Sequence, residues 1–474
     1  MSIEPERIRS LNTATPRSGA RYVLYWTQMN RRAESNHALA HAIDLANRHE
    51  LPLLVYEGLT CTYRRANSRV HTFMLQAVPQ SEKDFRALGA GYFFYLRARK
   101  SDANDILYRL AERAACVVTD DYPTFIAANH NRSVPAKLGI PFVAVDSSCI
   151  VPMSVHDKRA YGAYTIRPKI HRELPKYLKS VHQSALKHRW RDDLLPPELH
   201  ALRTEVAPAS IQDLVTSCEI DHSVAPSISF DGGADEAAKH LDIFLQKRVV
   251  RYERDSNQPS KHATSDLSPY LHFGHISSLA VALAAKQRAE EEKLIIDSFL
   301  EELIVRRELS FNFARFTPNP ESLDEVPDWC KRTMRKHAAD PRPFLYTPEQ
   351  FTRAETHDEL WNAAQKELLI RGKIHGYYRM YWGKKIIEWS PTYEDALRLM
   401  TDLHDVYALD GRDPNTCTSI LWLFGLHDRP WTERPVFGQL RYMSYDGMKR
   451  KTDTASYVKE IALLEMTGKD QFRI

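Results

Sequence analysis

RYVLYW at residues 21–26 is a short run of β-branched and aromatic side chains, the composition of a strand buried on both faces. An amphipathic stretch, Asn36–His49, follows it, and then PLLVY (52–56), YFFYL (92–96), a helical stretch Ala103–Ala115, CVVT (116–119) and IPFVAV (140–145). Parallel neighbours cannot be joined by a tight turn, so strand runs separated by helical spacing predict βαβ crossovers. The expected fold is α/β plus all-α, and residues 20–150 form its doubly wound parallel α/β domain. Residues before about 20 are polar and read as loose.

From 151 to 234 the alternation stops. Pro152, Pro168, Pro175, Pro196, Pro197, Pro208 and Pro226 punctuate a polar stretch that reads as an interdomain linker, with the basic segment Arg167–Arg191 as its solvated face. Residues 235–474 read as an all-helical domain. Helical periodicity covers Ala234–Ser256, Ser277–Ala289, Glu291–Phe313, Thr356–Arg371, Lys373–Trp389 and Tyr393–Leu403, with a capping box at Thr356–Glu359 and a stop at Gly372.

Composition narrows the function. At 474 residues the chain is about three times a typical ~150-residue domain, so a single small binding module is excluded. A net charge of +4 implies no polyelectrolyte partner by itself, so a nucleic-acid face must be a local patch. Six widely spaced cysteines argue against a zinc site or disulfide framework and for a reduced, cytoplasmic chain. No apolar signal core or membrane-length run is present.

Six of eight tryptophans lie in the last third: Trp329, Trp361, Trp382, Trp389, Trp422 and Trp431. Trp382 and Trp389 share a helix face, and Trp361 can pack between them from the preceding helix; core packing, an electron-hopping chain and a base-stacking platform all fit that spacing. The segment TSDLSPYLHFG (264–274) brings hydroxyls and amides to a helix start, which suits a phosphate or a simple N-cap. EELIVRRE (301–308) reads as surface pairing unless one carboxylate faces inward. LDGRDPN (409–415) reads as an acidic turn, and MKRK (448–451) as a charge cluster able to touch phosphate.

Together YWTQMNRR (25–32), LSPYLHFGHIS (267–277), EELIVRREL (301–309), LWN and YYRMYWGKKIIEW around the three tryptophans, LDGRDPN, HDRPW and RPVFGQLRYMSYDGMKRK resemble the photolyase/cryptochrome family. The resemblance is strongest to class II cyclobutane pyrimidine dimer photolyases. It implies a helical domain holding FAD, and light-driven repair in which excited, reduced FAD lends an electron to a dimer flipped out of UV-damaged DNA. Tyr252, Thr264, Ser265, Asp266, Leu267 and Ser268 would hold the cofactor phosphates. Arg379 and Asp410 would pair beside the flavin, with Arg306, Arg307 and Asp413 in the same cofactor set. Glu302 would face the dimer carbonyl; Asn257 and Met380 would line the lesion pocket; Trp422 and Trp431 would stack on its bases; Arg441, Lys449 and Lys451 would grip phosphates. Trp382, Trp361 and Trp389 would relay an electron from the surface to oxidised flavin. An antenna pigment, deazaflavin or folate, is an open expectation, as is a monomer that is cytoplasmic or, in a eukaryote, nuclear.

His404 stands where class II members carry an asparagine facing flavin N5, either as a neutral hydrogen-bonding partner or as a group titrating near neutrality. Thr416 and Ser419 replace family glycines, and the Trp422–Trp431 spacing is one residue short. The alternative reading is a cryptochrome-like blue-light receptor without repair. The retained set Glu302, Met380, Asn257, Trp422 and Trp431 favours repair.

Overall fold

The structure, a computed structural model, describes residues 3–474. Its first half is built on six strands: β1 (Ile8–Ser10), β2 (Tyr22–Thr27), β3 (Leu53–Thr60), β4 (Gly91–Arg97), β5 (Ala114–Asp120) and β6 (Phe142–Val145). They lie in the order β1-β6-β5-β2-β3-β4, parallel throughout except β1, which runs antiparallel to β6. β2 is central and buried along its whole length, as its apolar run requires.

Two local expectations change. The segment before residue 20 is not loose: β1 pairs with the free edge of β6, and buried Arg7 donates to the carbonyls of Asp146, Cys149 and Ile150. The helix expected over 103–115 shrinks to Ile106–Ala111, because Ala114 pairs with Tyr22 and starts β5. A twenty-residue helix, Ser68–Ala87, was hidden by Pro79 and its polar face; Asn67 caps it by accepting from the Val70 amide.

Residues 151–234 wrap the sheet. They include the helix Ala163–Tyr177, which carries Pro168 and Pro175 and buries Ile166 and Ile170. Trp190 meets Tyr22 edge-on at 5.5 Å. Charges of the basic segment are met locally, Arg167 by Glu301, Lys176 by Glu6 and Arg191 by Asp193.

The second half is helical. The helix expected over 234–256 contains a π-helical stretch, Phe244–Arg248, between Ala234–Ile243 and Val249–Asp255. The one expected over 291–313 begins at Asp297 and contains a second, Glu301–Arg306. Both mark places where an inserted residue redirects side chains, as π-bulges at functional sites do. The helix Glu359–Arg371 is capped by Asp358, which accepts from the Trp361 amide, and not by Thr356; it stops at left-handed Gly372 as expected. The helices Gly376–Trp389, Tyr393–Tyr407 and Pro414–Leu423 pack behind it.

The YWTQMNRR segment joins the halves. Asp120 at the end of β5 accepts the amides of Gln28, Met29 and Asn30, which aims Arg31 at the Phe273 carbonyl and Arg32 at those of Gly274 and Ser147. Gly274 has φ +70, and a Cβ there would lie 1.9 Å from the Met29 carbonyl oxygen. Glu308 accepts the amides of Ile150 and Val151 from across the interface, and burial pushes its carboxyl up to about 8. Arg69 reaches back to the carbonyls of Ala225, Leu368 and Tyr407.

Candidate functional site

Phe244, at the start of the first π-helical stretch, meets Phe299, two residues ahead of the second, with ring centres 4.6 Å apart. The first ends at Arg248, which donates to the Thr264 carbonyl and to Asp266 at 2.6 Å. Lys373 meets the other Asp266 oxygen, also at 2.6 Å. Burial opposes charge on Asp266, yet Lys373 and Arg248 outweigh it and hold the carboxyl far below its ordinary range. Thr264 donates to the same carboxylate, and the Ser265 hydroxyl accepts the Leu267 amide. The helix Ser268–Phe273 has Leu267 at its N-cap position with no side-chain capping bond, so neither Thr264 nor Ser265 is spent as its N-cap.

Next to this lies Asp410. Arg379 binds both its oxygens, at 3.1 and 3.2 Å, and the Ser268 hydroxyl faces it. Burial opposes the Asp410 charge, and the Arg379 guanidinium reverses the balance, keeping it ionised well below the usual carboxylate range. His404 Nε2 stands 3.9 Å from Asp410. Desolvation, reinforced by Arg379, pushes the His404 imidazole down to about 3. That shift favours the neutral imidazole over a group titrating near neutrality. Thr416 donates to the Asp410 carbonyl and ties down the loop that presents the carboxylate.

Arg248, Lys373 and His375 belong to this cluster and were missed from the sequence. Nothing in spacing marks Arg248, whereas Lys373 and His375 adjoin the YYRMYW motif. His375 caps Gly376–Trp389 through Nδ1, leaving Nε2 buried without a protein partner. Arg379 Nε and His404 Nδ1 are likewise buried and unmatched. Such atoms are costly unless a ligand satisfies them.

Tyr252 and Glu302 face each other across the π-helical pair: burial and the Glu302 charge both raise the Tyr252 phenol. Glu302 is accessible, but desolvation still raises its carboxyl against the pull of Arg306, the combination found in the wall of a deep opening. Arg306 pairs with Glu301. Arg307 and Asp413 serve the domain interface: Arg307 donates to the Ser148 carbonyl, and Asp413 binds Tyr122 and His272. Both groups thus have protein partners, each with one in the first half of the chain.

Met380 follows Arg379 on the same helix as Trp382. Trp382 and Trp361 lie nearly parallel, 6° apart with centres at 6.4 Å, and Trp361 meets Trp389 at 6.2 Å. Trp361 donates to the Trp382 carbonyl and Trp382 to Gln365. All three are core side chains, and their spacing is also compatible with electron hopping. Trp389, expected at the surface, is only 1% exposed, beneath Tyr346 and His357.

Trp422 and Trp431 sandwich Arg441, whose guanidinium is 5.1 Å from the Trp422 ring and 4.2 Å from the Trp431 ring. Asp428 neutralises Arg441 and accepts from the Trp431 indole. Arg441 is therefore the spacer of two indoles before it is a phosphate ligand. Exposed Lys449, Arg450 and Lys451 end the helix Tyr445–Lys451, and the Lys451 carbonyl accepts from Gln258, beside exposed Asn257. The basic patch thus borders the turn that presents Asn257.

Among the described residues no His, Cys, Asp and Glu group could hold a metal, all six cysteines are free, and no helix is long and apolar enough to cross a membrane.

This fold and cleft define a two-part α/β and helical protein with a charged, ligand-demanding interior. Residues 23–187 match the DNA photolyase family. The chain is 39% identical over 97% of its length to the deoxyribodipyrimidine photo-lyase of Methanothermobacter thermautotrophicus, of which it covers 98%, and 35% identical over 99% of its length to that of Arabidopsis thaliana, covering 95%. Its fold matches a class III photolyase from Agrobacterium tumefaciens (TM-score 0.64, 17% identity, 94% of this chain and 87% of that one). It also matches a Synechocystis cryptochrome (TM-score 0.68, 14% identity, 94% and 89%). The chain belongs to the photolyase/cryptochrome family.

Proposed function

We propose that this chain is a light-driven DNA repair enzyme of the class II type, acting on cyclobutane pyrimidine dimers with bound FAD. The observation that carries the cofactor is the set of buried, unmatched polar atoms on His375, Arg379 and His404 around two carboxylates kept ionised by Arg248, Lys373 and Arg379. They offer donors and acceptors for an isoalloxazine edge, and the 264–268 segment offers amides and hydroxyls for a diphosphate. When bound and fully reduced, FAD supplies a photoexcitable one-electron donor that opens the dimer's cyclobutane ring and recovers the electron.

The chain's own residues do the rest. Arg379 and Asp410 fix the electrostatic field at the cofactor, and neutral His404 fills the N5 position without adding charge. Glu302, its carboxyl raised by desolvation, faces a dimer carbonyl on which negative charge develops, and its protonated form would stabilise that charge. Trp422 and Trp431, spaced by Arg441, offer ring faces to an extruded lesion, with Met380 and Asn257 at the pocket wall and Lys449 and Lys451 at the DNA backbone. Trp382, Trp361 and Trp389 carry an electron inward to restore the reduced state.

An antenna pigment, deazaflavin or folate, is assigned to a cavity of about 930 Å³ at the carboxyl ends of β3 and β5, lined by Tyr63, Arg64, Phe125, Phe316 and Arg412. The test of function is blue illumination of the reduced protein with thymine-dimer DNA, following recovery of the ultraviolet absorbance lost on dimerisation. Recovery is expected; bound, reduced FAD without recovery would reassign the chain as a photosensor.

A further inference from the structure

We propose that Tyr161 and Tyr164 form a second DNA-binding surface, contributed by the first half of the chain, which stacks on the bases of the undamaged strand left unpaired when the dimer is extruded. The inference rests on the repair reading above and adds two residues that lie outside its motifs.

Among the described residues, which include all 22 tyrosines, only these two tyrosines are exposed, at 53% and 64%. Single exposed apolar side chains are ordinary, but here two rings stand together, with centres 6.1 Å and planes 65° apart. Edge-on contact leaves each ring a face for another π system. Their backbone is firmly held. The buried Asn312 side chain donates to the Lys158 carbonyl at 3.1 Å and accepts the Ala160 amide at 2.7 Å. The Thr165 hydroxyl donates to the Gly162 carbonyl at 2.7 Å and accepts the Gly162 amide at 3.1 Å. A turn fixed in this way, with its largest side chains left in water, is organised in advance for a contact with a partner.

Two contacts fix the place of the pair. A Cβ built on Gly162 would lie 3.8 Å from the His427 carbonyl oxygen. Desolvation pushes the His427 imidazole down to about 3, and Arg159 and Arg306 reinforce it, so the turn and the Glu302 helix meet at this residue. His427 precedes Asp428, the carboxylate that holds Arg441 and Trp431. On the other flank Arg167, one helical turn after Tyr164, binds Glu301 at 2.6 Å, beside Glu302. The pair therefore borders the opening that Glu302 and Trp431 share. Lys449 and Lys451 border it through a different segment, the turn of Asn257 and Gln258.

Two borders suit two strands. Extrusion of a dimer leaves two bases on the opposite strand without partners, and two tyrosine rings offer them faces. Exposed Lys158 and Arg429 on the same border offer charge to that strand's phosphates. A single-stranded substrate has no such bases and gains nothing from the pair.

The experiment uses the purified, FAD-loaded chain in the dark, with thymine-dimer DNA supplied as a single strand and as a duplex carrying 2-aminopurine opposite the dimer. The double variant Tyr161→Ala/Tyr164→Ala is expected to bind the duplex about tenfold more weakly than wild type, equivalent to about 1.4 kcal/mol, with single-strand affinity unchanged. The 2-aminopurine is expected to be dimmer on wild type than on this variant, because stacking on a ring quenches it. Tyr161→Phe/Tyr164→Phe keeps both ring faces and is expected to behave as wild type. If the alanine variant binds the duplex as wild type does, loses both substrates equally or leaves 2-aminopurine unchanged, this inference fails while the repair reading stands. A phenylalanine variant as weak as the alanine one would also overturn it, since the hydroxyls and not the rings would then make the contact. A wild type that binds dimer-containing and undamaged duplex alike overturns the repair reading itself.

Discussion

Single side chains at the cleft act through burial and charge, and their effects are separable. With His404 held near 3, its protonation does not change between pH 6 and 9. The photoreduction spectrum of bound flavin is therefore expected to be flat across that window in both wild type and His404→Asn, checked by steady illumination at each pH. Glu302→Ala removes the only carboxyl of its helix that faces Tyr252, and is expected to lower repair turnover by about 100-fold with DNA affinity unchanged, as loss of one charge-stabilising donor does. Trp422→Ala is expected to cost about 1–3 kcal/mol of affinity for dimer-containing DNA, the worth of one base–aromatic stack, with little effect on undamaged duplex. Fluorescence anisotropy on the two substrates measures that difference.

Whole elements carry two further outcomes. The helix Gly376–Trp389 approaches its neighbours closely at Gly383, where a Cβ would lie 2.2 Å from a Leu423 methyl and 3.1 Å from the Met400 sulfur. Gly383→Ala is expected to destabilise the helical half by about 1–3 kcal/mol, the usual cost of overpacking, seen as a lower urea midpoint. This helix bears Arg379, Met380, Trp382 and Trp389, so the same substitution would disturb the cofactor pair and the relay together. At the chain's end, the helix Tyr445–Lys451 places Lys449 and Lys451 in solvent beside Asn257. Replacing each lysine by alanine is expected to reduce the dependence of log K on log salt by about 0.9 for every phosphate no longer neutralised, measured by titrating DNA binding across a salt series.

Across the molecule, acid sensitivity follows from buried imidazoles. Among the described residues, ten histidines, at 37, 41, 71, 130, 156, 240, 275, 375, 404 and 427, are pushed below their ordinary value chiefly by desolvation. Each binds its proton more tightly in the unfolded chain, so each contributes stability above about pH 6.5 that is lost as pH falls toward 4. Glu308, raised to about 8, acts in the opposite sense: its contribution is present below pH 4.5 and lost as pH rises through 8. The ten imidazoles outnumber the carboxyls that burial raises, Glu57, Asp84, Asp146, Glu302, Asp405 and Glu308, so the thermal midpoint is expected to fall between pH 6.5 and 4, measurable by calorimetry. Glu308 also clamps the two halves, and the cost of ionising it in a buried site is expected to lower the protection factors of the Ile150 and Val151 amides, taken relative to intrinsic base-catalysed exchange, as pH rises through 8.

Much of this architecture was legible in the sequence, because periodicity and caps are local. The runs at 21–26, 52–56, 92–96, 116–119 and 140–145 all became strands, Asn36 and Gly372 ended helices where their chemistry suggests, and the quoted motifs led to the family. Pro168 and Pro175 misled, since a proline reads as a breaker until packing on both sides shows that the helix tolerates it. What only the tertiary structure decided is which distant charges meet and how dry they are. Arg248 and Lys373 converge on Asp266 from positions far apart in the chain, Arg248 ends one π-helical stretch and Glu302 lies in the other, burial and Arg379 together push His404 down, and Trp389 is covered by Tyr346 and His357. Backbone preference depends on near neighbours, whereas solvation and electrostatic balance depend on every atom that folding brings close.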